Sequence, residues 1–280
     1  VQRALADGAD YIKLMHEGGK AMGIEGSDLV QTRQEVQAAV VKAAHKQGFK
    51  VVAHALSLKD TIEVLKAGVD GLAHTFFDEP ITPETIQLYK EGNVWLNPTL
   101  VAAGSLTGES QDLLKVFAED ERVKSRVAKC DASLFHHCLH MKSKSAKWEY
   151  AIDSVRQLKA AGVDIIWSVS AKILPRGIAN NVHCSGSDAA AGAPGLVFGF
   201  NLHFEMYLLV TKAGMTPLEV LRSATSVTSR RFGWSDRGRI SPGLKADLLL
   251  VEGNPLEDIT ELLNIREIWR DGVRFEGHSF

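Results

Sequence analysis

A chain of 280 residues with 45% apolar content can bury a substantial core, enough for one large domain or one domain with an appendage. A formal net charge of −2 with no basic stripe or tail argues against an electrostatic nucleic-acid binder. No apolar run reaches the roughly eighteen residues a membrane helix needs. Cys130, Cys138 and Cys184 are too few and too irregularly spaced for a disulfide framework, so a cytoplasmic location is the default expectation.

Val1 to Gly8 reads as the last turns of a helix ending at glycine,, so sequence upstream of Val1 is expected. Asp10 to Met15 is the first expected strand, with Lys13 near its end, and Glu17-Gly18-Gly19 opens a glycine-rich loop behind it. Thr32-Arg33-Gln34-Glu35 has the pattern of a capping box for a helix with Val36, Ala39, Val40, Ala43 and Ala44 on one face, stopping at Gly48,. A strand from Lys50 to His54, a helix from Leu58 to Lys66 and a strand from Gly71 to His74 follow. Thr82-Pro83 starts a helix with proline at its first position, Gly92 ends it, and Val94 to Leu96 runs into Asn97-Pro98-Thr99.

Residues 104–147 form a charged middle that reads as a helical insert. His136 and His140 within it have a spacing that would share one helical face, but no carboxylate base is interleaved, and the cluster with His137 reads as solvated surface. Trp148 to Ala161 is amphipathic and Val163 to Trp167 is the next expected strand. The rhythm then breaks at residues 168–185 before Gly186-Ser187-Asp188 resumes a strand-end pattern. Val169-Ser170 can be encoded by GTAAGT and Ala179-Asn180 by GCTAAC, so the segment reads either as a retained intron or as a genuine loop insertion. Thr216-Pro217-Leu218-Glu219 opens another helix, and the tail changes to short strands, Ala246 to Val251 and Glu267 to Phe275, with turns at Gly253-Asn254-Pro255 and Asp271-Gly272,.

About five strand-then-helix units can be counted, whereas a closed β/α barrel takes about eight units and about 250 residues. The fold class expected is α/β, a partial TIM (β/α)8 barrel holding about the last five units, with barrel residues 1–240 and a C-terminal β segment, 241–280. Lys13, His54, His74 and Asp188 each close an apolar run. Strand C-terminal ends are where such barrels carry their active sites, and imidazole and carboxylate are suitable metal ligands. Taken singly, Lys13 also reads as a surface lysine, His54 as a hydrogen-bonded core histidine, and Asp188 as a helix cap.

Seven segments in order, GADYIKLMHEGG, VVAHA, AGVDGLAHT, NPTL, GSDA, AGMTPLEVLRSAT and GRISPGLKADLLLVEGNPLEDI, resemble the amidohydrolase superfamily, in particular its imidazolonepropionase-like and Xaa-Pro-dipeptidase-like branch, to which fungal ochratoxin-hydrolysing enzymes are also similar. The resemblance implies a carboxylated Lys13 bridging two divalent metals, zinc foremost, with His54 and His74 as further ligands. Asp188 would be both ligand and general base for a water activated at the metals. The reaction implied is hydrolysis of carbon–nitrogen bonds in a small amide or dipeptide-like substrate, with homo-oligomerisation left open. Cyclic-amide hydrolysis and deamination are alternatives that ordinarily use one metal.

Two departures cut against activity. The family's first-strand His-x-His pair has no counterpart, for no such pair occurs in the sequence, and the insert before Asp188 could displace the base. The chain as given is therefore expected to bind metal poorly and hydrolyse little. A non-catalytic reading, a truncated barrel acting as a binding or assembly module or an unstable fragment, stands beside the enzymatic one, because missing units would leave sheet edges unpaired.

Overall fold

A computed structural model describes residues 1–24, 31–127, 131–166 and 193–275; the 168–185 insert and Asp188 lie outside the described residues. The chain divides into two compact units, residues 1–103 with 141–166, and residues 104–140 with 167–280.

The first unit is built on a parallel sheet. Helix α1 (Gln2–Ala6) leads into β1 (Ile12–Met15), α2 (Gln34–Lys46), β2 (Val51–His54), α3 (Leu58–Lys66), β3 (Gly71–Leu72), α4 (Pro83–Glu91) and β4 (Trp95–Leu96). Strand order is β1-β2-β3-β4, every pair parallel, and a further parallel bridge joins Leu96 to Ile165. That alternation of strand and helix in sequential order is the β/α barrel pattern. Strands are shorter than the sequence pattern suggests: β3 and β4 have two residues each, and Val163 to Ile166 contributes only the single bridge.

Local chemistry explains most element boundaries. Ser57 Oγ accepts the Asp60 N–H to cap α3, and Thr82 caps α4 with Pro83 in the first turn,. Helix α2 differs from expectation. Its cap is Arg33 with no side-chain bond, one residue later than the Thr32 pattern suggests, and the Thr32 carbonyl accepts from the Gln37 side chain at 2.8 Å. Helix α8 (Trp148–Ala160) is tied to this unit by the Trp148 indole, which donates to the Leu100 carbonyl (2.9 Å), and by the Lys147 N–H to the Phe77 carbonyl (2.8 Å). Val51, Ala53, Leu72, Leu96 and Ile166 are buried along the sheet. On β1, in contrast, Lys13 is exposed and Met15 is 56% exposed, since β1 pairs only with β2 among the described residues.

In the second unit the charged middle proves to carry its own core. Helix α5 (Leu100–Thr107) leads into this unit, where α6 (Gln111–Ala118) and α7 (Glu121–Lys124) follow. Phe117 of α6 packs its ring against Phe200 (5.4 Å), Phe204 (5.5 Å) and Tyr207 (5.1 Å) of α9 (Phe200–Thr211), and Phe135 adds to Phe200 at 5.0 Å. Such ring pairs add about 0.5–1.5 kcal/mol each beyond area burial. His136 ends a short 3-10 turn, and His140 lies beyond it with φ 46°. The two therefore do not share a helical face, and both are exposed.

Helix α10 (Pro217–Arg222) has the complete Thr216–Glu219 capping box and runs through a π-helical turn into α11 (Thr228–Phe232). The tail is an antiparallel sheet of β5 (Leu248–Val251), β6 (Ile265–Arg270) and β7 (Val273–Arg274). Asp271 (φ 54°) and Gly272 (φ 80°) form its tight turn, the conformation a two-residue hairpin favours. Arg122 and Arg126 donate to the carbonyls of Thr260 and Ile265. No described helix is long and apolar enough to cross a membrane.

Phe204 has no exposed surface, so Phe204→Ala is expected to destabilise the second unit by about 3–5 kcal/mol in urea unfolding. His203, on the same helix, has an Nδ1 buried without a hydrogen-bond partner among the described residues. Burial, helped by the charge of Arg126, pushes its pKa down to about 4. The unfolded chain takes up that proton near pH 6.5 and the folded chain does not, so stability falls as pH drops from about 6.5 to 4 and levels below. The loss is at most about 3 kcal/mol, and pH-dependent unfolding of His203→Gln should lack it.

Candidate functional site

Parallel pairing sets the site, because it puts all strand C-terminal ends at one edge of the sheet. The register pairs Lys13 with Val52 and Met15 with His54. Lys13 and His54 thus share a face, with α-carbons roughly 8 Å apart by strand spacing and rise. His74 follows β3 and is buried, and its ring meets that of His54 edge-on at 4.7 Å between centroids. His54 and His74 therefore stand at strand ends, Lys13 lies on the face of His54 two residues before the end of β1, and Asp188 lies outside the described residues.

His74 is oriented by Thr99, whose Oγ1 lies 2.9 Å from Nδ1. Thr99 is buried and holds φ 51°, a left-handed conformation that costs a β-branched residue energy and tends to mark functional sites. A hydroxyl fixed beside Nδ1 sets the orientation of the His74 ring, as a partner on the second nitrogen commonly does for a metal-ligating histidine.

The loop after β1 carries residues that sequence reasoning passed over as turn chemistry. Glu17 places Oε2 3.3 Å from His54 Nε2, while its Oε1 accepts the Gly19 N–H at 2.6 Å. The residues on either side of it are clamped the opposite way. The buried His16 ring donates from Nε2 to Glu63 Oε2 at 2.7 Å, with Asp60 Oδ1 at 3.8 Å. The Gly18 N–H donates to Asp60 Oδ2 (3.0 Å), and Gln31 Nε2 to Asp60 Oδ1 (3.1 Å). A Cβ on Gly18 would lie 2.5 Å from the Gln31 amide nitrogen, so a larger residue there would push that side chain off Asp60.

His16, Asp60 and Glu63 form the one group among the described residues whose ligating atoms all lie within 4.8 Å of one another. The hydrogen-bond polarity tells what they do. Gln37 Nε2 donates both to the Thr32 carbonyl and to His16 Nδ1 (3.1 Å), which assigns the ring proton to Nε2 and directs it at Glu63. The lone pair a metal would need is absent in that tautomer. We read the cluster as a bracket fastening the 16–19 loop to α2 and α3. His54 and His74 bring two imidazoles, a common ligand type for divalent metals, close together beside the face that carries Lys13, and Glu17 is hydrogen-bonded to His54.

Asp60→Ala should remove the hydrogen bonds that Asp60 accepts from Gly18 and Gln31 and cost about 1–3 kcal/mol, with the first effect a faster hydrogen exchange at residues 16–19. Unchanged exchange there would remove the bracket.

The amidohydrolase family model matches residues 1–274. Ochratoxinase of Aspergillus niger is 26% identical over 285 aligned positions, covering 99% of this chain and 48% of that protein. Imidazolonepropionase of Streptomyces griseus is 28% identical over 160 positions, 51% of this chain and 37% of that one. Among solved structures, a Xaa-Pro dipeptidase with methionine bound in its active site superposes with a TM-score of 0.67 at 26% identity, covering 99% of this chain and 57% of that chain. The chain spans about half the length of the curated relatives it matches along its whole extent. With a parallel β/α sheet, a face that gathers lysine and histidine at its strand ends, and a family match over nearly its whole length, the chain belongs to the amidohydrolase family.

Proposed function

We propose that the protein is a metal-dependent hydrolase of carbon–nitrogen bonds, acting on a small amide or dipeptide-like substrate. The observation that supports this most is the placement of His54 and His74 at strand ends, with Lys13 on the face of His54 two residues before the end of β1 and His74 oriented by a strained Thr99. Ochratoxinase and the Xaa-Pro dipeptidase, the relatives covered along this whole chain, give the substrate class its direction.

In this reading residues 1–240 belong to the barrel and 241–280 to its β appendage. His54 and His74 would hold a divalent metal, zinc by preference for imidazole, with Lys13 adding an anionic oxygen if carboxylated, and such an ion would supply water activation and carbonyl polarisation. Asp188 would serve as the general base and return the proton to the leaving amine. Thr99 keeps the His74 ring in place, and the bracketed 16–19 loop borders the substrate.

The test measures zinc content and hydrolysis of N-acyl amino acids and Xaa-Pro dipeptides by the purified chain. Zinc that is lost in His54→Ala and His74→Ala supports the reading, as does any hydrolysis that falls at least about a hundredfold in Lys13→Ala. A chain that takes up no zinc and hydrolyses none of the panel overturns it in favour of a binding module.

A further inference from the structure

We propose that a pocket of the second unit, made of residues the hydrolase reading does not use, binds a small phosphate-bearing anion.

Its wall states the chemistry. Arg230, Arg237 and Arg239 line it together with Ser226, Ser229 and Ser235, and no acidic side chain does. Guanidinium and hydroxyl groups are the donors that phosphate oxygens seek, and arginine matches them in pairs. Three arginines on one concave wall without an acid are an unusual concentration in a chain whose net charge is −2. The cavity measures about 280 Å3, just under the range of roughly 300–1,000 Å3 for small-molecule sites, so its ligand is small.

Arg237 is held in place before any ligand arrives. Its Nε donates to Asp236 Oδ1 at 2.8 Å and its Nη2 to Oδ2 at 3.1 Å. The guanidinium lies over the Trp234 ring, 5.4 Å from the centroid, and Trp234 is in turn stacked on Phe232 at 5.0 Å,. Two of the five guanidinium donors are thereby occupied and three are left for a ligand. Asp236 does not cancel the charge of the site, because the same carboxylate also pairs with Lys245 at 3.4 Å. Asp247 and Asp271 act on Arg237 as well, but neither lines the pocket. A fork fixed in this way loses little freedom on binding.

The backbone sets the rest of the wall. Between α10 and α11 the helix widens into a π turn, Ser223–Val227, a rare form found frequently at functional sites. Ser226, Ser229 and Arg230 follow at spacings of three and four, which bring helical residues to one face. Gly238 takes φ 87°, and a Cβ there would lie 2.7 Å from Ser229 Cβ and 3.0 Å from the Thr225 carbonyl oxygen. Only glycine fits that approach, and it seats the loop carrying Arg237 and Arg239 against the helix that carries the serines.

The experiment follows, by phosphorus NMR, inorganic phosphate and glycerol phosphate titrated into the purified, EDTA-treated chain at constant ionic strength. The variants are Arg237→Gln, Arg239→Gln, His54→Ala and Arg222→Gln, an exposed arginine outside the pocket. Arg239 is exposed, so its replacement tests the site without disturbing the core, and urea unfolding checks that each variant is folded. The expected result is a Kd weakened at least about tenfold by Arg237→Gln and about threefold by Arg239→Gln, with wild-type binding in His54→Ala and Arg222→Gln. Tighter binding of glycerol phosphate assigns the site to a phosphate monoester, and tighter binding of inorganic phosphate assigns it to the free ion; either upholds the proposal. No uptake by wild type, unchanged affinity in both pocket variants, or a loss in Arg222→Gln as large as in Arg239→Gln overturns it. So does a loss confined to His54→Ala.

Discussion

The parallel ladder from β1 to β4 is the constraint on which the site depends. Its hydrogen bonds fix each strand against the next in a register that leaves no freedom at the C-terminal ends. A one-residue slip of β1 against β2 would turn Lys13 away from the face of His54 and bring Leu14, now buried, toward it,. Gly71 shows how closely that face is packed: a Cβ there would lie 2.2 Å from the indole nitrogen of Trp95 on the neighbouring strand. Glycine at that point lets a large side chain lie across β3, and the sheet edge above it remains open for His54 and His74.

A second layer of constraint acts on the loop after β1. Loops ordinarily hold their shape through a few weak bonds, yet this one is tied to two helices by charged and buried groups whose hydrogen bonds are each worth about 1.5–3 kcal/mol net. Ser57 caps α3 through the N–H of Asp60, and Asp60 in turn holds Gly18, so the start of that helix and the loop are one mechanical element. Lys20 extends the tie to Asp78 and Glu79. Burial pushes the pKa of Asp78 up, and the Leu58 N–H and Lys20 oppose that rise.

Much of this fold was legible in the sequence where short-range chemistry decides. Thr82-Pro83 and Thr216-Pro217 mark helix starts, and Gly48 and Gly92 mark ends, because caps and left-handed turns depend on residues a few positions apart. The alternation of strand and helix was likewise readable from apolar runs, and so was the position of His54 at the end of β2, whereas Lys13 falls inside β1 rather than at its end. The failures share one cause. Thr32 had the pattern of a capping residue, yet the helix begins one residue later with Arg33 at its cap, and Gln37 on its first turn is committed to His16. The bracket joins positions as much as 47 residues apart, and no local pattern reports it. The charged middle is helical and its histidines are exposed, as its sequence suggests, but its packing was not legible, because Phe117 meets Phe200, Phe204 and Tyr207 only through α9.

Glu17 and Thr99 show why site residues are harder to read than site scaffolds. Glutamate before two glycines is ordinary loop composition, and threonine after Asn97-Pro98 is ordinary turn composition. What distinguishes Thr99 is a backbone angle of 51°, and what distinguishes Glu17 is that both its neighbours are turned away from it. Neither property belongs to the residue type. Each is imposed by distant partners, and strain or order imposed from a distance is retained only where the surrounding structure over-determines it. At this sheet edge two such over-determined residues flank the same pair of histidines, Thr99 behind His74 and Glu17 in front of His54. That convergence gives the strand-end histidines a defined orientation, something their position in an apolar run could not provide.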